Sequence, residues 1–216
     1  MVYKAKKVYQ DKDVVSKYDI KRFGNLKGFL TNRMELRLIW RALSFAGIVP
    51  PAIILDMPCG TGRLAIYLAQ KGFTVKAVDI SPQMVSYTKE KVVFFNLTDK
   101  IVVEQGDAES LPYPNNSFDV CVSLRLFGHT PSKIRKKILL ELKRVTKRCL
   151  ILTYYHKNCL QRFLRKRHRE RKQIEWHPLS YKQIEEELEA VSFKKIKCFP
   201  LLVGISETVV ILVKKA

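Results

Sequence analysis

The sequence predicts an α/β fold: a doubly wound, seven-stranded, mostly parallel sheet with an antiparallel last strand. Three observations carry that expectation. Apolar runs of strand length alternate with amphipathic helical stretches, the links between them are short, and the last two apolar runs are joined by too few residues for a helical crossover. Strand–helix repetition with short links gives a parallel sheet covered on both faces, whereas two strands joined by a tight connection pair antiparallel.

The elements follow in order. Residues 33–45 repeat apolar positions at helical spacing. The run 52–56 is a first strand that ends in Asp56, and Gly60-Thr61-Gly62 comes directly after it. Leu64, Ile66 and Leu68 then mark a short helix that stops at Lys71-Gly72. A second strand, 73–78, closes at Asp79. Ser81 is a helix cap with Pro82 in the first turn, where the missing N–H costs nothing. The third strand, 101–104, leads into Gly106-Asp107-Ala108, and the turn-rich 112–117 leads into the fourth, 118–124. Ile134, Ile138, Leu142 and Val145 put 131–145 in an amphipathic helix, followed by a fifth strand at 149–153. Ser180 with Gln183 makes a capping box that opens a helix over 181–190. The final strands are 195–199 and 208–213.

Bulk properties narrow the function classes. The 216 residues, 47% hydrophobic and 28% charged, suit one well-buried domain and exclude disordered and fibrous chains. No apolar run approaches the roughly 18 residues of a membrane span, and the basic start lacks the apolar block of a secretory signal. Five cysteines (59, 121, 149, 159, 198), widely spaced and without a C-x-x-C pair, predict neither a disulfide framework nor a structural zinc site and point to a reducing cytoplasm. The net charge of +20 is uneven: residues 51–120 hold 6 basic and 8 acidic groups, residues 121–216 hold 23 and 8. A nucleic-acid module basic throughout would not exempt its middle third, although a basic patch can still recruit an anionic partner.

Chemistry gathers at the strand ends, where open parallel sheets bind ligands. Asp56, Asp79 and Asp107 follow strands one, two and three. Residues 60–65 fit G-x-G-x-x-A, a dinucleotide fingerprint. A pyrophosphate, however, disfavours a carboxylate at the loop mouth, where Asp56 stands. An acid there suits a ligand with a positive group, and Asp79, about 20 residues past the glycines, suits ribose hydroxyls. That combination favours S-adenosylmethionine.

Four ordered segments then resemble a known family: Leu55–Arg63, Ala77–Met84, Gly106–Pro114 and Ser117–Val120 are similar to motifs of the class I S-adenosylmethionine-dependent methyltransferases, closest to the ubiquinone and menaquinone biosynthesis branch. The resemblance implies a Rossmann-like fold, S-adenosyl-L-methionine as cofactor, no metal, and S-adenosyl-L-homocysteine as product. It implies that the loop with Asp56, Met57, Gly60 and Gly62 wraps the methionine moiety, that Asp79 accepts both ribose hydroxyls, and that Ile80 and Met84 pack on the adenine. Asp107 and the Ala108 amide would read the adenine edge, and Leu124 would line the methionine side. Lys17-Tyr18-Asp19 resembles the family's N-terminal segment, which gives Tyr18 a cofactor contact. Pro58 departs from the pattern, standing where the family has a glycine, so the loop is expected to be stiffer. The implied organisation is one domain, 1–216: a helical cover (1–48), a cofactor-binding core (49–156), a basic insertion or lid (157–177), and a C-terminal helix with an antiparallel strand pair (178–216).

Acceptor chemistry is less marked. His129, after the fourth strand, is the candidate catalytic base, against the alternative of a histidine bonded to backbone near a helix start. Arg125 would orient an anionic acceptor, or simply face solvent. Tyr154, Tyr155 and His156 are either aromatic walls or strand-end packing. Cys59 and Cys121 lie inside the loop and mid-strand, positions for packing and not for a nucleophile. Residues 161–173 carry seven Lys/Arg against Glu170, a solvated helix or a lid that meets phosphate. The expected acceptor is a small or lipid-linked molecule methylated on oxygen or carbon. RNA bound through the 161–173 run, and a non-catalytic S-adenosylmethionine-binding protein, are the alternatives. The expected place is the cytoplasm or the inner face of a membrane, met through the same run.

Overall fold

The computed structural model of the protein describes residues 18–160 and 176–215. Among these, seven strands form one sheet in the order β3-β2-β1-β4-β5-β7-β6. The strands are β1 (Ile53–Asp56), β2 (Thr74–Asp79), β3 (Ile101–Gln105), β4 (Phe118–Ser123), β5 (Thr146–Tyr155), β6 (Phe193–Pro200) and β7 (Thr208–Lys215). The pairs from β3 through β5 are parallel, and β7 runs antiparallel to both β5 and β6. The sheet is therefore of the expected kind, with one refinement. The antiparallel strand does not form the edge; β7 inserts between β5 and β6. Its six consecutive buried residues, Thr208–Val213, explain why, since a strand covered on both faces and both edges needs no polar alternation.

Helices cover both faces. On one side pack α2 (Leu26–Phe45), α3 (Arg63–Gln70) and α4 (Pro82–Phe94), with the short α1 (Tyr18–Phe23) ahead of α2; on the other lie α5 (Ser132–Val145) and α6 (Tyr181–Glu189). Strand alternation feeds the two layers: Ile54 and Ile151 pack with Leu38, Ile39, Leu64 and Leu68, while Leu55 and Leu150 pack with Ile138, Leu142, Ile184 and Leu188. Local capping matches the sequence expectations. The Ser81 side chain accepts from the Met84 amide, and Ser180 and Gln183 cap each other.

Several strand ends shift by one or two residues, and three larger differences stand out. α2 begins seven residues before the expected 33, because Asn25 accepts from the Gly28 amide and nucleates an earlier turn. Its first apolar residues, Leu26, Phe29 and Leu30, are exposed, so no core-facing stripe announced them. β5 starts at Thr146 with no loop after α5, its hydroxyl donating to Leu142 O at 2.6 Å. The short α1 had no apolar periodicity to reveal it.

Candidate active site

The strand order reverses between β1 and β4, and a crevice opens beyond their carboxyl ends. A cavity there is lined by Tyr18 and Arg22 of α1, by Asp56 and the loop after β1, by Asp79, Ile80 and Met84 after β2, and by Leu124, Arg125, Leu126 and His129 after β4. Of the thirteen residues expected at the site, nine line this cavity: Tyr18, Asp56, Gly60, Asp79, Ile80, Met84, Leu124, Arg125 and His129. Four do not. Met57 is buried on the opposite face of the sheet, in the layer with Leu55 and Phe127. Gly62 lies outside the cavity lining and caps α3 at φ +75°, where a side chain would meet Thr88, so the turn and the packing both call for glycine. Asp107 accepts from the Glu109 amide within its own turn, and Ala108 is buried in the core. That turn does abut the site, since the Gly106 amide donates to Asp79 O at 3.0 Å.

The two carboxylates at the tips of β1 and β2 differ sharply. Asp79 accepts from the Gly60 amide at 2.8 Å and the Ser81 amide at 2.9 Å, so it holds the glycine loop as well as facing the cavity. Burial raises its pKa, and those amides pull it partly back. Asp56 is buried, and neither of its oxygens has a hydrogen-bond partner. Burial, with the neighbouring Asp79 charge, pushes its pKa up to about 8, against downward pulls from Arg63 and a weak contact with the Ala65 backbone. A buried carboxylate left without a well-formed hydrogen bond costs free energy unless something arrives to pair with it. The donor set of S-adenosylmethionine, an ammonium plus ribose hydroxyls, fits these two acids on neighbouring strand tips. Among the described residues, no group of three His, Cys, Asp or Glu side chains could hold a metal ion.

The cover is fastened to the loop. Asp19 of α1 accepts from Thr61 Oγ1 at 2.7 Å and pairs with Lys91 of α4 at 2.8 Å, while Lys91 also reaches Thr61 O. This places Tyr18 and Arg22 over the cavity, with the Arg22 guanidinium 5.7 Å from the Tyr18 ring centre.

The side after β4 was only partly legible. Arg125 lines the cavity but does not face solvent: its Nε and Nη2 both donate to Glu35 of α2, at 2.6 Å from Nη2 to Oε2. Arg63 donates to the same Oε2 at 2.9 Å and to Asn32. The Phe23 ring lies 5.0 and 5.5 Å from the two guanidinium carbons. Burial alone would raise the Glu35 pKa, but Arg125 and Arg63 hold it below the ordinary carboxylate value. Glu35 was missed, although a signal existed: it stands three, four and seven residues before Leu38, Ile39 and Ala42, an acid on the buried stripe.

His129 lies in a short 3₁₀ turn, Phe127–His129, whose following carbonyl, Thr130 O, accepts from buried Arg135 at 2.7 Å. Its Nε2 is 3.5 Å from the Tyr155 hydroxyl, and its ring meets Tyr155 and Trp176 edge-on at 5.4 and 4.8 Å. Tyr155 stacks on Trp176. Tyr154 instead donates to Glu187 inside the core, and His156 stacks on Tyr181. Cys59 and Cys121 are buried with raised pKa values, the latter to about 12 through burial, as packing residues would be. The 161–173 basic run lies outside the described residues.

A sheet with a reversed last strand, a glycine loop at its switch point and acids on the first two tips define the class I methyltransferase type. A sequence profile of the methyltransferase-domain family matches residues 54–149. The fold superposes on the magnesium protoporphyrin IX methyltransferase of Synechocystis PCC 6803, solved with bound S-adenosylhomocysteine, with a TM-score of 0.81 and 19% identity over 98% of this chain and 100% of that one. A protein described as a probable tocopherol O-methyltransferase of Oryza sativa subsp. japonica is 30% identical over 135 residues, 58% of this chain and 37% of that protein. The norajmaline N-methyltransferase of Rauvolfia serpentina is 31% identical over 131 residues, 56% of this chain and 44% of that protein. The matching stretch thus spans less than half of each of these two relatives.

Proposed function

We propose that the protein transfers the methyl group of S-adenosylmethionine to a small-molecule acceptor, releasing S-adenosylhomocysteine. The observation that carries the reading is the buried, partnerless Asp56 carboxylate opening onto a cavity that Asp79 also faces. The bound donor supplies an electrophilic methyl: the acceptor atom bonds to that carbon, and the sulfur keeps the electron pair and loses its charge. Asp56 pairs with the ammonium, Asp79 accepts the ribose hydroxyls, and Ile80 and Met84 pack on the base. Asp107 and the Ala108 amide, outside the cavity wall but on the turn bonded to Asp79 O, are assigned the adenine edge. His129 takes the acceptor's proton on Nε2, worth roughly 10²–10⁴ in rate. Most of the acceleration comes from holding acceptor and methyl in line.

Within this proposal the acceptor is methylated on oxygen or carbon, as in the quinone-type branch. A lipid-linked acceptor draws support from the β6–β7 turn, where Leu202, Val203 and Ile205 are exposed at the cavity end of the sheet. The assignment of 1–48 as a cover draws support from α1 and α2, which supply Tyr18, Arg22 and Glu35; the core 49–156, insertion 157–177 and C-terminal unit 178–216 complete the proposed organisation. The test is calorimetric titration with S-adenosylmethionine. Wild type should bind it, and Asp79→Ala should bind more than tenfold more weakly. No heat with the wild-type protein would overturn the reading, and binding without transfer to any cell-extract fraction would leave a non-catalytic binder.

A further inference from the structure

We propose that the acceptor carries an oxyanion and that the outward edge of Arg125, set by Glu35, is its anchor. The inference rests on the methyl-transfer reading. Three guanidiniums (Arg22, Arg63, Arg125) and two carboxylates (Asp56, Asp79) line the cavity. The donor's ammonium and hydroxyls account for the two acids. The donor's own carboxylate claims one cation, and Glu35 pairs with Arg63 and Arg125 from behind.

The arginines are not equally committed. Arg63 gives one terminal nitrogen to Asn32 and the other to Glu35. Arg125 gives Nε and Nη2 to Glu35, and its Nη1 has no hydrogen-bond partner among the described residues. A guanidinium held along one edge presents the other in a fixed plane, the geometry that receives a carboxylate or phosphate in bidentate fashion. The backbone supports the same conclusion. Arg125 sits at φ +58°, and the described non-glycine residues that share this region are two asparagines and a serine. A long side chain in that conformation is strained, and such strain persists where the surroundings over-determine it. Here they do: the Arg125 amide donates to Thr153 Oγ1, its side chain is clamped on Glu35, and Phe23 lies against its guanidinium. His129 lines the same cavity four residues on, so the anchored anion and the base share one wall.

The experiment uses radiolabelled S-adenosylmethionine, the whole protein, and an extract of its source cells passed through a filter that removes macromolecules. The extract is split on an anion exchanger into retained and unretained pools. Label should enter the retained pool alone. Arg125→Gln should lower that labelling at least 30-fold, and Arg125→Lys should not restore it, while affinity for S-adenosylhomocysteine stays within threefold of wild type. Label in the unretained pool, or in macromolecules removed by the filter, overturns the inference and spares methyl transfer. An equal loss of S-adenosylhomocysteine affinity in Arg125→Gln also overturns it, because the arginine would then hold the donor's own carboxylate. No label in any pool removes the methyl-transfer reading and this inference with it.

Discussion

Two buried carboxylates, each 1% exposed, face opposite fates on the two sides of the cavity. On the proposed donor side Asp56 lacks a well-formed hydrogen bond, and burial pushes its pKa up to about 8. On the acceptor side Glu35 is clasped by Arg63 and Arg125, and its pKa falls below the ordinary value. Equal burial with opposite shifts shows that the partner, not the depth, decides the charge. It also separates two kinds of preparation. On the proposed reading the acceptor side is organised before any ligand arrives, whereas the donor side holds an uncompensated group that a cation would complete.

The largest effect should come from breaking the completed side. Glu35→Ala leaves two largely buried guanidiniums unpaired and should cost about 3–5 kcal/mol of stability in urea denaturation. An undiminished midpoint would mean the cluster is solvated and the contrast with Asp56 false.

Next is the incomplete side. The unfolded chain releases the Asp56 proton near the ordinary 3.8, while the folded protein keeps it to about 8. Between those values the folded state binds more proton, so stability falls as pH rises and the loss is complete above about 8. Asp56→Asn lacks that proton, and its stability advantage over wild type should grow by on the order of a few kcal/mol from pH 5 to 9. For the same reason donor binding at pH 7 should release about one proton, seen by calorimetry in buffers of different ionisation heat, and the release should vanish in Asp56→Asn. An unchanged proton count in that variant would detach Asp56 from the ammonium.

His129→Ala should slow turnover roughly 10²-fold with donor affinity near wild type. A matching fall in affinity would recast the histidine as a wall of the donor side. The smallest change is expected at the cover. Asp19→Ala removes a partly exposed pair worth about 1 kcal/mol or less, and should quicken hydrogen exchange of the α1 amides a few-fold with little movement of the midpoint.

Much of the fold could be read locally. Ser81-Pro82 and Ser180 with Gln183 declare helix starts because each satisfies its amides within three residues. Asp56 and Asp79 were legible because a strand tip followed by glycines is a short-range pattern. The α2 start was not, since Leu26, Phe29 and Leu30 are apolar yet exposed and blur the stripe. The Arg125 partner could not be read, since Glu35 lies 90 residues away. Asp107 and Ala108 kept their place in the chain order but not in the cavity wall.

Apolar periodicity and caps were enough to specify seven strands, most of their covering helices and two acids at the strand tips, because those signals act over a turn or a pleat. Which acid is left unpaired, which arginine edge remains open and which aromatic rings stand beside His129 depend on chain segments brought together from α1, α2, β4 and β5. Charge pairing and desolvation are set by neighbours in space, so the chemistry of this cavity exists only once the sheet has closed.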